Sequence, residues 1–99
     1  MASIIYLVES REKIAQLVTN KAIESGYEIY IFRNFSDLVT DLKTQKPDAI
    51  FLHHNLLVEN SDELEILRPY FTILYAEKLN PDRKLDYYCH GINRVIDSG

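Results

Sequence analysis

Apolar and polar positions fall into alternating blocks along this chain. Ile4-Ile5-Tyr6-Leu7-Val8 is a continuous apolar run of β-favouring residues, closed by Glu9-Ser10. A run of that kind predicts a buried strand. Polar residues then take over, with Ile14, Leu17, Val18 and Ala22 spaced i, i+3, i+4 and i+8. That spacing makes one face of a helix. Ser10 is its candidate cap, and Gly26 stands where the chain leaves the helix through a left-handed residue. Tyr27 to Phe32 predicts a second strand. Asn34 caps a second helix whose face is Phe35, Leu38, Val39 and Leu42, and Pro47 forbids its continuation. Ala49-Ile50-Phe51-Leu52 predicts a third strand, buried on both faces, which stops at His53 and His54. Asn60-Ser61 opens a short helix carrying Leu64, Ile66 and Leu67, and Tyr70 to Tyr75 reads as a fourth strand. Asn80 caps a fourth helix with Pro81 at its first position, continued by Leu85, Tyr88 and Cys89 to Gly91. Ile92 to Ile96 reads as a fifth strand.

Strands that alternate with helices predict an α/β domain with a parallel sheet and helices on both faces, joined by right-handed crossovers. The expectation is one domain over residues 1–99, a three-layer, doubly wound, five-stranded sheet. The sequence stops directly after the fifth strand. The final helix is therefore expected to be missing or truncated, which leaves one face short of cover. Residues 1–99 are expected to be the N-terminal part of a longer protein.

Composition narrows the class. Of 99 residues 46% are hydrophobic and 26% charged, an ordinary globular balance, and the net charge is −4. No basic patch exists to neutralise phosphates, so direct contact with nucleic acid is not expected. No apolar run approaches the roughly 20 residues of a membrane span, and no signal-peptide pattern opens the chain. One cysteine, Cys89, cannot form an internal disulfide, which fits a cytoplasmic protein. The three glycines stand at helix or chain ends, so no phosphate-cradling loop is present. Neither a cofactor nor a metal is expected, and the chain does not read as an enzyme.

The segments IIYLVES, ESGYEIYIFRN, KPDAIFLHH, PYFTILYAE and GINRVIDSG, in that order, resemble the receiver domain of two-component response regulators. The most specific piece is SGYEIYIF followed, after a helix, by KPDAIFL. The resemblance spans essentially the whole chain. It implies the flavodoxin-like strand order 2-1-3-4-5 and a phosphoacceptor pocket at the ends of the first, third, fourth and fifth strands. The pocket is degenerate. Glu9-Ser10 stands for the family's acidic pair, His53 for the acceptor aspartate, Tyr75 for the hydroxyl residue and Ser98 for the lysine. One glutamate is a poor cage for Mg²⁺, which takes carboxylate oxygens. Serine cannot replace an ammonium. Tyrosine would fill the space of the phosphate.

The resemblance therefore implies a pseudo-receiver, a phosphorylation-independent regulatory or protein-interaction module of bacterial-type signalling. Its partner is an attached output domain, for instance one for transcription regulation, or a separate protein. The partner face is expected on the fourth helix and fifth strand, at Tyr87, Tyr88, Ile92 and Ile96, where a homodimer is the other expected arrangement. Two alternatives stand beside this reading. One is an active receiver that uses an atypical acceptor such as His53. The other is a small standalone ligand-binding α/β protein. For the imidazoles, the plain reading has His53 packed near Glu9 with His54 exposed. Joint metal ligation by Glu9, His53 and His54 is disfavoured, because adjacent strand residues point to opposite faces.

Overall fold

The computed structural model describes residues 3–57 and 61–97, with the first three residues of the third helix described by backbone alone. The elements are β1 (Ile4–Val8), α1 (Glu12–Glu24), β2 (Glu28–Phe32), α2 (Phe35–Leu42), β3 (Ala49–His53), a single 3-10 turn (His54–Leu56), α3 (Ser61–Leu67), β4 (Thr72–Ala76), α4 (Pro81–Cys89) and β5 (Arg94–Asp97). All five strands are parallel and lie in the order β2-β1-β3-β4-β5. The predicted alternation and strand order are thus observed.

β1 and β3 start where predicted, whereas β2, β4 and β5 start later for a definite reason. Gly26 and Gly91 adopt left-handed φ values of 86° and 97°. At the first, the Tyr27 amide reaches back to Ala22 O and that of Gly26 to Ile23 O; at the second, Ile92 reaches Tyr87 O and Gly91 reaches Tyr88 O. Both are Schellman caps, which spend the amides of the next residues on the helix. Tyr27 and Ile92 therefore belong to caps, and pairing begins at Glu28 and Arg94. Tyr70 likewise donates to Leu67 O, so β4 opens at Thr72 rather than at Tyr70. Asn34 and Asn80 cap α2 and α4 as expected, each accepting from an amide three residues on at 2.9 Å. Ser10 does not cap α1. The N-cap is Arg11, without a side-chain cap bond, and its amide is held instead by the Glu9 carboxylate. The cap expected at Asn60 lies outside the described residues.

The sheet has unequal faces. Register places Tyr6, Val8, Phe32, Ile50, Leu52, Leu74 and Val95 on one side, where they pack with Leu38 of α2, Leu64 and Leu67 of α3 and Tyr87 of α4. Burial of a large apolar side chain there contributes about 1.5–3 kcal/mol. Among the described helices only α1 lies on the other side, through Val18 and Ala22 beside Ile5 and Phe51. Right-handed crossovers require this split, because the path from β1 to β2 runs opposite in direction to those that follow. The predicted α1 face shifts accordingly. Ala15 and Ala22 are buried, whereas Leu17 is 66% exposed. The prediction that β3 is buried on both faces also needs correction. Ile50 and Leu52 are inaccessible, but Ala49 and Phe51, on the α1 side, are only half-buried.

Candidate functional site

Parallel strands bring their C-terminal ends to one rim of the sheet, where ligands of open α/β folds sit. β1, β3 and β4 lie side by side, so Glu9 after β1, His53 at the end of β3 and Tyr75 near the end of β4 meet there. Glu9 is 1% exposed. A carboxylate so buried needs partners, and it has them. Arg11 donates its backbone amide and Nε to Oε2 at 2.9 and 3.0 Å and Nη2 to Oε1 at 2.8 Å. The Tyr75 hydroxyl donates to Oε1 at 2.9 Å. Burial pushes the Glu9 carboxyl up, but the hydrogen bonds from Arg11 and Tyr75 outweigh it and hold the group at about 2. Burial and the carboxylate raise the Tyr75 phenol, which keeps it a donor. The other end of the guanidinium contacts the exposed Glu77 at 3.1 Å.

His53 is nearly inaccessible and stacks on the Tyr75 ring, with centroids 5.4 Å apart and planes 18° apart. Its Nδ1 lies 3.5 Å from Glu9 Oε2, yet the contact lacks hydrogen-bond geometry and this buried nitrogen has no partner among the described residues. Burial lowers the imidazole, and the opposing pull of Glu9 does not restore it. The neutral ring follows.

His54 departs from the plain reading. It is half-buried rather than exposed, and its Nε2 lies 2.9 Å from the Tyr87 hydroxyl. Arg83 Nη2 donates to the same hydroxyl at 3.0 Å. A hydroxyl that accepts from Arg83 has its proton to offer His54, which fits an imidazole depressed by burial and by Arg83. The two histidines thus turn to opposite sides, one to the rim pocket from the end of β3 and one to α4 from the 3-10 turn.

Of the expected pocket residues, the structure brings Glu9, His53 and Tyr75 together. Ser10 is exposed beside them, and Ser98 lies outside the described residues. Sequence reasoning missed Arg11 and Glu77. A signal existed in an arginine two residues after a strand-terminal glutamate, close enough to fold back on it.

The donors present do not fit the Mg²⁺ that the resemblance implies. A hard dication takes several oxygens, whereas both oxygens of Glu9 face a guanidinium. Among the described residues no three His, Cys, Asp or Glu side chains gather as a metal site.

The expected partner face changes membership. Tyr87 is 3% exposed and Ile92 equally buried, because both complete the core under α4. Tyr88 and Ile96 are exposed at 46% and 49%, and Leu85 on α4 is exposed as well. Among the described residues no helix is long and apolar enough to cross a membrane.

Solved structures share this architecture almost from end to end. A CheY-like response regulator receiver domain protein from Methanospirillum hungatei superimposes with a TM-score of 0.85 at 17% identity, over 98% of this chain and 82% of its own. The receiver is the fold. A response regulator from Thermotoga maritima gives 0.84 at 15% identity over 98% and 85%. The BeF3-activated N-terminal receiver domain of Klebsiella pneumoniae RstA gives 0.83 at 14% over 97% and 86%. No family model matches the sequence, and no curated protein matches it. The receiver fold is therefore carried here by a sequence far from those of these structures, with a rim pocket filled by its own side chains.

Proposed function

We propose that this chain is a phosphorylation-independent pseudo-receiver, a regulatory protein-interaction module of signal transduction. The observation that carries the reading is the Glu9 carboxylate held by Arg11 and Tyr75. In place of a cation and a phosphoryl group the rim has an internal ion pair, roofed by stacked His53 and Tyr75. Phosphoryl transfer needs positioned positive charge around the transferring group, and the Arg11 guanidinium is already committed to Glu9 and Glu77. The pocket thus resembles a receiver site locked in one state. The module acts through the outer face of α4, where Leu85 and Tyr88 are exposed, toward an output domain, a separate protein or a second copy.

The test is incubation with acetyl phosphate and Mg²⁺, and separately with beryllofluoride, followed by amide spectra and phosphoryl analysis. Unchanged resonances for Glu9, His53 and Tyr75 are expected. Incorporation mapping to His53 would establish the active-receiver alternative instead.

A further inference from the structure

The Glu9 carboxylate has no acceptor site to spare. Arg11 donates its amide and Nε to Oε2 and Nη2 to Oε1, and the Tyr75 hydroxyl donates to Oε1. Together they match the roughly four lone-pair sites of an ionised carboxylate. His53 Nδ1 nevertheless stands 3.5 Å from Oε2, on a side chain that is 4% exposed. It has no hydrogen-bond partner among the described residues. The imidazole is thus a competitor for Glu9 held just short of bonding distance.

Neutral His53 cannot win that competition. A proton taken up from solvent changes the balance, because both ring nitrogens of an imidazolium are donors. Nδ1 then carries a charged N–H beside Oε2, and a movement of about 0.7 Å brings it to the distance of a charge-assisted hydrogen bond. One of the present donors has to yield. The Arg11 amide is fixed at the start of α1, and Tyr75 is held by its stack on His53. The guanidinium is the donor free to move. The Arg11 side chain is 38% exposed, and its Nη1 already reaches the exposed Glu77 at 3.1 Å. Two cations at one carboxylate repel, so the arrival of one favours the departure of the other. A cationic ring against the face of the Tyr75 phenol is favourable as well.

We propose that the rim is a proton-operated switch in which protonated His53 takes Glu9 Oε2 from the Arg11 guanidinium, and the guanidinium turns outward to Glu77 and solvent. This deepens the function proposed above by naming what regulates the rim, and it rests on that reading. The groups that face His53 set the threshold. Burial resists the proton, as do Arg11 at the start of α1 and His54 in the 3-10 turn. Glu9 after β1 and Glu77 after β4 favour it, and the ring is protonated below its ordinary value of 6.5. Tyr75 of β4, its phenol raised by burial, faces the ring uncharged. The Arg11 amide stays on Glu9 throughout, so α1 keeps its start. What changes is a guanidinium presented at the surface of the rim.

Heteronuclear magnetic resonance of the full chain, from about pH 8 down to acid unfolding, follows the His53 ring nitrogens, the Arg11 Nε–H and the backbone amides together. The Arg11 Nε–H signal is expected to move with the midpoint of His53 and to exchange faster with water below it, while the amides stay folded. His53→Phe keeps a ring on Tyr75 and should abolish the Arg11 transition, whereas His54→Gln should leave it in place. Arg11→Gln removes the competitor and should raise the His53 midpoint by about one unit or more, a factor of ten in proton affinity. The wild-type titration decides even where a variant fails to fold. An Arg11 signal that stays still while His53 titrates would overturn the switch. So would an Arg11 transition that survives in His53→Phe, a His53 midpoint unmoved by Arg11→Gln, or a His53 that stays neutral until the chain unfolds. Each of these would leave phosphorylation independence standing. Phosphoryl uptake from acetyl phosphate and Mg²⁺ at any pH in the series would overturn that independence and leave the exchange at Glu9 standing.

Discussion

The Tyr75 hydroxyl donates to Glu9 Oε1 at 2.9 Å and so ties the end of β4 to the end of β1 over the intervening β3. The acceptor is a buried, ionised carboxylate, where one hydrogen bond contributes about 1.5–3 kcal/mol. Tyr75→Phe keeps the ring stacked on His53 and removes only that donor. Urea unfolding should show a loss of about 2 kcal/mol. A loss under about 0.5 kcal/mol, within the range of an inert surface change, would mean that the phenol does not support Glu9.

Stability should fall in two stages on acidification. His53 and His54 are depressed by burial, so the unfolded chain takes up their protons first. Their contribution is whole above the unfolded value of about 6.5 and is lost as pH falls through the lower folded values. Glu9 moves from 4.5 to about 2 on folding. Its contribution, about 3 kcal/mol at 1.36 kcal/mol per unit, is whole above about pH 5 and is lost between about pH 4.5 and 2. Glu9→Gln should remove the lower stage. Chemical denaturation at a series of pH values reads both. A variant as acid-sensitive as the parent below about pH 4.5 would show that Glu9 is not the titrating group.

His53 should tolerate an apolar ring better than a small side chain. Its unpartnered Nδ1 carries a desolvation cost with no bond to offset it. His53→Phe keeps the contact with Tyr75 and drops that polar atom, so thermal unfolding should lie within about 1 kcal/mol of the parent. His53→Ala opens a cavity under Tyr75 and should cost about 2–4 kcal/mol. Equal losses from both would show that the imidazole nitrogen is satisfied in solution.

The two left-handed glycines should differ in cost. Alanine at either pays about 1–2 kcal/mol for its backbone. A Cβ at Gly26 meets nothing within 4 Å, whereas one at Gly91 comes to 3.2 Å from Arg68 Cγ and must push that side chain aside. Gly91→Ala should therefore destabilise by more than Gly26→Ala in the same denaturant titration. The reverse order would place Arg68 elsewhere in solution.

Element order and helix identity were legible because apolar runs, capping asparagines and glycines each act locally and agree with one another, whereas the strand order came only with the family resemblance. Strand starts were less so. Tyr27, Tyr70 and Ile92 are β-favouring, but each backbone amide is used by the preceding helix, a competition that composition does not display. In the candidate site, position alone pointed to Glu9, His53 and Tyr75. Arg11 was invisible in that reading, because its role depends on a fold-back across a two-residue step rather than on periodicity. Tyr87 and Tyr88 show the same limit. Adjacency on a helix says that one of them turns inward, and only the cluster around His54 and Arg83 decides which.

Unequal cover of the two sheet faces also sets an order of local opening. β1 has strands on both sides and α1 above it, while β5 is a four-residue edge with an open face. Segments with sparse apolar contacts exchange their amide hydrogens through the smallest fluctuations. Deuterium uptake should thus begin at the two edge strands, Glu28–Phe32 and Arg94–Asp97, reach β4 next and come last to β1 and β3. Glu9 follows the slowest strand and Tyr75 sits on a faster one, so the rim pocket spans a seam between two cooperative units. A partner seated against β4 and β5 would slow exchange on the far side of that seam and hold Tyr75 against Glu9 without ever touching the carboxylate.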